Sequence, residues 1–177
     1  FRRHSGDLVM NHMQGAGGFI ALLEPLIKAG VCTIKSRELM IVFNNKSVIK
    51  LAHLNHFNEI YKYQGMEINF LIFDELTHFH KKEYEFLLTR LRINHNMIPE
   101  EFKGMFPRAL CASNPGNVGH NWVKAEFIEG YEPNKIYDHD GITQVFIPAK
   151  IHQNKFLDVE AYTKSLRQLS DKSLVDA

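Results

Sequence analysis

The sequence predicts an α/β fold: a mostly parallel sheet with flanking helices and an added β-hairpin. Three observations carry that reading. First, "INFLIFDELTHF" drives an apolar run, Ile68–Phe73, into a core and stops on two adjacent carboxylates, Asp74 and Glu75. A continuous apolar run is how a buried parallel strand reads. Second, an amphipathic stretch and another short apolar run, Ala109–Ala112, follow at the spacing of a βαβ unit. Third, the chain has 177 residues and is 45% hydrophobic and 23% charged, which suits one domain with a real core.

Taken in order, Phe1–Arg3 reads as the end of a strand. "GFIALLEPLIKAG" sets Phe19, Leu22, Leu23 and Leu26 at helical spacing; Pro25 should kink that helix and Gly30 should end it. "ELMIVFNNKSVIKLAHL" reads as a hairpin, with strands at about 39–43 and 48–52. Its "NNKS" turn suits positive φ, which Asn tolerates. After the Ile68–Phe73 strand, "KKEYEFLLTRLR" places Tyr84, Leu87, Leu88 and Leu91 on one helical face. "NWVKAEFI" is predicted as a short helix with Trp122 and Phe127 in the core, and "ITQVFIP" as a strand stopped by Pro148. Asp158 is placed to cap a last helix whose inward residues would be Val159, Tyr162, Leu166 and Leu169.

Composition excludes some classes. With 21 Lys+Arg against 20 Asp+Glu the formal charge is +1, so any nucleic-acid surface has to be a local basic patch. No apolar run reaches the ~18 residues of a membrane span and no signal peptide opens the chain, so a soluble protein without membrane contact is expected. Cys32 and Cys111 lie far apart in apolar stretches, without metal or disulfide spacing, and read as reduced core thiols. The pairs His53/His56 and His78/His80, "DHD" at Asp138–Asp140 and "NHN" raise a metal or metal-nuclease reading. No cysteine joins any of them, and "DHDG" reads more simply as a solvated turn. Lys81, Lys82, Arg90 and Arg92 border one helix and read as a solvated face rather than a DNA track.

The chemistry concentrates where two parallel strands end. Asp74 and Glu75 close one strand; Ser113 and Asn114 close its neighbour on the same sheet edge. The simple alternative is that Asp74 caps the next helix and Glu75 favours its N-terminal dipole. The functional reading is nucleotide chemistry. An Asp there can hold Mg²⁺ through its water shell, and the Glu can orient or deprotonate a water aimed at a γ-phosphate. Asn114 can hydrogen-bond that water or phosphate.

These residues resemble the large terminase subunit of tailed bacteriophages, the ATPase that packages DNA into the procapsid. "KYQGMEINFLIFDELTHF" is similar to its Walker B segment, and "CASNPGNVGHNWVKAEFI" to its coupling motif and the helix after it. "FIPAKIHQNKFLD" resembles the stretch leading toward the family's nuclease domain. The resemblance implies a P-loop NTPase fold of the ASCE (RecA-like) type with ATP and Mg²⁺ as cofactors. Asp74 would be the magnesium-site carboxylate and Glu75 the catalytic one, with Ser113 and Asn114 in the coupling motif. It also implies double-stranded DNA, a portal protein and a small terminase subunit as partners, a ring homo-oligomer on the portal, and residence in the host cytoplasm.

Two departures shape the expectation. No Gly-rich turn ending Lys-Ser/Thr occurs; "GAGGF" lacks it. Residues 1–177 are therefore expected to be a partial ATPase domain, starting just after the phosphate-binding (Walker A) loop and stopping before the nuclease. Gln64 stands where some members carry an Arg, so the arginine finger stays open among Arg2, Arg3, Arg90 and Arg92. Three alternatives remain at this stage: another ASCE translocase or helicase, a non-catalytic DNA-binding or assembly module with a degenerate ATPase fold, and a His-metal nuclease.

Overall fold

A computed structural model describes residues 1–94 and 98–166. It is a mixed α/β structure with three small sheets, one of them the expected parallel pair. Strands β4 (Phe70–Asp74) and β5 (Arg108–Ala112) run in the same direction, with Asp74 opposite Ala112. The segment before β4 belongs to the same layer. The Phe1 carbonyl accepts from the Asp74 amide at 2.9 Å, and its amino group donates to the Ile72 carbonyl at 2.5 Å. Arg2 bridges His53 in parallel on its other side, so the opening residues are seated between β4 and 52–54. Ile68 makes a separate parallel bridge to Leu91, which places the regular strand two residues later than its apolar run suggested.

The main core lies on one face of this layer. Leu71 and Phe73 point into it and meet Leu76, Phe79, Tyr84 and Leu87. The opposite face does not match expectation. Phe70 is 42% exposed, Ile72 44% and Leu110 54%, so the apolar run that predicted burial on both sides is buried on one. The run is apolar on both faces, yet the second is only partly covered, the Phe106 ring lying 6.0 Å from that of Phe70.

Helix α4 (Lys81–Leu88) buries Tyr84 and Leu87 as its periodicity requires, and also Glu83, fully enclosed. Leu91 lies beyond its end. Helix α5 (His120–Phe127) follows β5. Trp122 stacks on Tyr84 at 5.3 Å and Phe127 meets the same ring edge-on, so both pack against the core as expected.

Near the N-terminus, a turn of helix α1 (Ser5–Asp7) runs into a π-helical stretch, Leu8–Met13, that the sequence did not announce. The predicted Phe19–Gly30 helix is broken into α2 (Phe19–Leu22) and α3 (Glu24–Lys28), with Pro25 in the first turn of the second. Pro25 has no amide hydrogen to continue the ladder, and Gly30 at φ +68° ends the pair. The half-buried residues are Phe19, Leu23 and Ile27, four apart; Leu22 and Leu26 are exposed, against expectation, because the break rotates the face.

The predicted hairpin forms as β2 (Met40–Phe43) and β3 (Val48–Lys50), but the positive φ of its turn, +70°, falls on Lys46 and not on an asparagine. An unforeseen strand, β1 (Cys32–Lys35), pairs antiparallel with β2. At the far end, β7 (Ile142–Val145) pairs with another unforeseen strand, β6 (Ile136–His139). The second half of "DHDG" is the turn between them, while Asp138 and His139 end β6: Asp140 and Gly141 both have positive φ and the Gly141 amide donates to Asp138 Oδ1. In helix α6 (Val159–Leu166) Asp158 Oδ1 accepts from the Ala161 amide, the predicted cap. Tyr162, expected inward, is exposed, while Leu169 and the "NHN" histidine lie outside the described residues. Among those described, no helix is long and apolar enough to cross a membrane, no His/Cys/Asp/Glu group could hold a metal by itself, and both cysteines are free. Burial pushes the Cys111 thiol up to about 12.

Candidate functional site

The parallel register puts Asp74, at the end of β4, directly beside Ala112, one residue before Ser113 and Asn114. The backbone then does something local sequence rules do not ask for. Glu75 adopts the left-handed conformation, φ 57° and ψ 60°. A side chain with a Cβ resists that region, and such residues persist where surrounding contacts over-determine them, often at functional sites. The conformation turns the chain sharply into a 3₁₀ turn, Leu76–His78.

Neither carboxylate caps a helix. Helix α4 starts six residues after Glu75, and its N-cap, His80, is served by Glu83, whose Oε2 accepts from the His80 amide at 2.8 Å. The capping reading of Asp74 and Glu75 fails because the 3₁₀ turn intervenes.

Asp74 instead meets two groups from the opening of the chain. Its Oδ2 lies 2.9 Å from His12 Nε2 and 3.2 Å from Arg2 Nε. The buried Arg2 Nε has no hydrogen bond of proper geometry among the described residues, so its attraction to Asp74 is that of charge. Glu75 Oε2 is 3.5 Å from the Asn114 amide, a long contact that joins the two strand ends. Both carboxylates are partly exposed, and Ser113 and Asn114 are exposed.

What holds the two ends together is Thr77, which the sequence reading did not single out. Its amide donates to Ser113 Oγ, its hydroxyl donates to the Asn114 carbonyl, and the Ser113 hydroxyl donates to Thr77 Oγ1, all at 2.9 Å. Thr77 is 3% exposed, so these bonds are made in place of water. The Thr77 carbonyl accepts from the Gly119 amide at 2.7 Å, and Trp122 Nε1 donates to the Phe79 carbonyl at 2.9 Å. Gly119 has to be glycine for this approach: a Cβ there would sit 2.7 Å from the carbonyl oxygens of both Thr77 and Phe79. Helix α5 is thereby docked on the turn that follows Glu75.

Behind the turn, Arg3 forms a second anchor. Its guanidinium donates to both Glu83 oxygens, at 2.9 and 2.6 Å, and to the carbonyls of His78 and Leu54, while lying 4.6 Å from the centre of the Phe79 ring. Arg3 is therefore committed inside the chain, and Arg2 faces Asp74. Arg90 lies over the Phe86 ring and bonds the Thr89 hydroxyl. The only hint of the Arg3–Glu83 pair in the sequence was an acidic residue on the core-facing side of an amphipathic helix.

A model of the family described as terminase large subunit, T4likevirus-type, N-terminal, matches residues 1–139. That stretch contains Asp74, Glu75, Ser113 and Asn114, both parallel strands and helix α5. No curated protein and no solved structure matches the chain.

Proposed function

The chain belongs to the T4-like terminase large-subunit family, which ties it to phage DNA packaging, and we propose that its β4–β5 edge is the ATP-hydrolysing edge of the packaging motor. The observation that carries this reading is Glu75: a strained, partly exposed carboxylate beside Asp74, within reach of the loop after β5. Strain of about 1–3 kcal/mol at such a residue is retained where position matters more than stability.

In this reading Glu75 orients the attacking water and takes its proton, and Asn114 reads the presence of the γ-phosphate. The donor set suits Mg²⁺. One or two carboxylates without a full protein cage match an ion that keeps several waters, and no three-residue metal cluster exists among the described residues. Asp74 would hold the ion through its water, which when bound neutralises charge on the phosphates. His12 and Arg2 then orient Asp74, and the Thr77–Ser113 bonds tie both strand ends into one unit.

A P-loop ASCE fold is part of the same proposal. In parallel α/β sheets helices cover both faces. The exposed Phe70, Ile72 and Leu110 fit a domain whose remaining cover comes from the segment bearing the phosphate loop. Double-stranded DNA, a portal, a small subunit and a ring of copies are the assembly this motor would work in.

The test uses a full-length parent subunit carrying this chain. Glu75→Gln should leave nucleotide binding within about tenfold and abolish hydrolysis, since one neutral amide keeps the shape and loses the base. ATP turnover at the wild-type rate in that variant would remove Glu75 from the chemistry.

A further inference from the structure

The three-stranded sheet β1–β2–β3 has one face in the core and one in solvent. In its antiparallel register Cys32 lies opposite Phe43, and Ile34 opposite Ile41, which in turn faces Ile49. Cys32 and Ile41 are buried, and Ile34 packs on the cluster of Leu8, Met13 and Leu51. The alternate residues form the other face: Thr33, Val42 and Val48 in one row, Lys35, Met40 and Lys50 in the next. Lys35 and Lys50 thus flank Met40, two strand spacings apart, or ~9.6 Å between backbones. Lys46 sits at the β2–β3 turn and Arg37 in the β1–β2 turn; all four cations are exposed.

Residues 28–50 hold five Lys or Arg side chains against one carboxylate, Glu38, in a chain whose net charge is +1. Lys28 pairs with Glu24, and Lys35 lies 3.7 Å from Glu38. Arg37, Lys46 and Lys50 have no ion-pair partner among the described residues. This is the local basic patch that a nearly neutral chain needs to hold a polyanion.

We propose that the outer face of β1–β2–β3 is a phosphate-backbone contact for duplex DNA, with Lys35, Lys46 and Lys50 as its main cations. The proposal rests on the DNA-packaging role and adds a surface remote in sequence from the Asp74–Glu75 edge. The face favours a nucleic acid over an acidic protein for two reasons. It carries no aromatic side chain in its two rows, whereas protein interfaces centre on aromatic and Arg anchors and are depleted in Lys. Its lysines sit on β1, on β3 and in the β2–β3 turn instead of converging on a pocket, which suits sequence-independent phosphate contacts.

Binding of the chain to a fluorescent 30-base-pair duplex, followed by anisotropy at salt from 20 to 200 mM, tests this. Two triple variants are compared that lose equal charge. One is Lys35→Ala/Lys46→Ala/Lys50→Ala. The other is Lys103→Ala/Lys124→Ala/Lys135→Ala, whose lysines all pair with glutamates elsewhere. The first should weaken binding at least tenfold at low salt and flatten log K against log salt by about 0.9 per lost contact; the second should change neither. All six lysines are exposed, and thermal melts of both variants are to match the wild type, as the control that the fold is kept. Equal losses in both variants, or none in either, overturn the surface and leave the packaging role standing. A labelled polyglutamate bound as tightly as the duplex, with the same loss in the first variant, assigns the face to an acidic protein and overturns the DNA contact. Absence of duplex binding by the wild-type chain also overturns the surface; if a full-length parent fails as well, the packaging role falls with it.

Discussion

The β4–β5 edge and the β6–β7 hairpin are both built from short strands joined by backbone hydrogen bonds, yet they are held in different ways. The hairpin is closed by its own turn, and its register pairs neighbours such as His139 and Ile142. Its apolar side chains gain little from the rest of the chain: Ile142 is 74% exposed and Ile136 71%. At the β4–β5 edge the pairing partners lie far apart in sequence and polar side chains bind the turns from behind. Thr77 joins Ser113 across 36 positions, and Arg3 joins Glu83 across 80. The contrast separates two jobs. Local pairing makes a hairpin wherever turn chemistry allows it. Holding two carboxylates in fixed geometry takes buried polar bonds between distant segments, and those are costly to leave half made.

Substitutions should grade this contrast. The largest effect is expected from Glu83→Ala, which leaves the Arg3 guanidinium buried without its carboxylate and removes the cap of α4. Loss of one partner of a buried pair costs about 3–5 kcal/mol. Urea unfolding should show that loss, and a change below about 1 kcal/mol would mean Arg3 finds water instead.

Next is Gly119→Ala. The added methyl meets two carbonyl oxygens at 2.7 Å and Trp122 Nε1 at 2.8 Å, so α5 has to move off the turn. Overpacking of this kind costs about 1–3 kcal/mol. The Trp122 fluorescence spectrum should shift as its bond to Phe79 lengthens, and an unchanged spectrum with unchanged stability would show that the helix is not docked there.

Thr77→Val keeps the shape and removes one hydroxyl. About 1–2 kcal/mol should be lost, because the Asn114 carbonyl and Ser113 hydroxyl lose a partner. In a full-length parent, ATP turnover should fall more than nucleotide affinity, since the strand ends no longer move together. Equal falls in both would reduce Thr77 to a packing residue.

The smallest effect belongs to the hairpin. Ile142→Thr, at an exposed strand position, should stay within about 0.5 kcal/mol of wild type in the same assay. A loss comparable with Thr77→Val would show that the hairpin is anchored as firmly as the edge and would end the comparison.

Much of this was legible in the sequence because it depends on near neighbours. The apolar run ending in Asp74-Glu75, the second run ending in Ser113-Asn114, the "NNKS" and "DHDG" turns, the break at Pro25 and the Asp158 cap all follow from propensity and period. What failed, failed for a shared reason. The strand β1 has a partner but no turn signature of its own, and Leu22 lost its place when the helix broke. Glu83 could not be assigned its buried ion pair because its partner, Arg3, lies 80 positions away in the chain.

By itself the sequence determined the parallel pair, the edge on which its polar residues gather, and the family to which those residues belong. Tertiary structure alone decided that Asp74 faces His12 and Arg2, and that Glu75 turns through the left-handed region. It also decided that Thr77 clasps the neighbouring loop, and that one apolar face of the sheet is exposed. The reason is range. Periodicity and turn chemistry act over a few residues, whereas a buried polar group is satisfied by whichever segment the fold brings beside it.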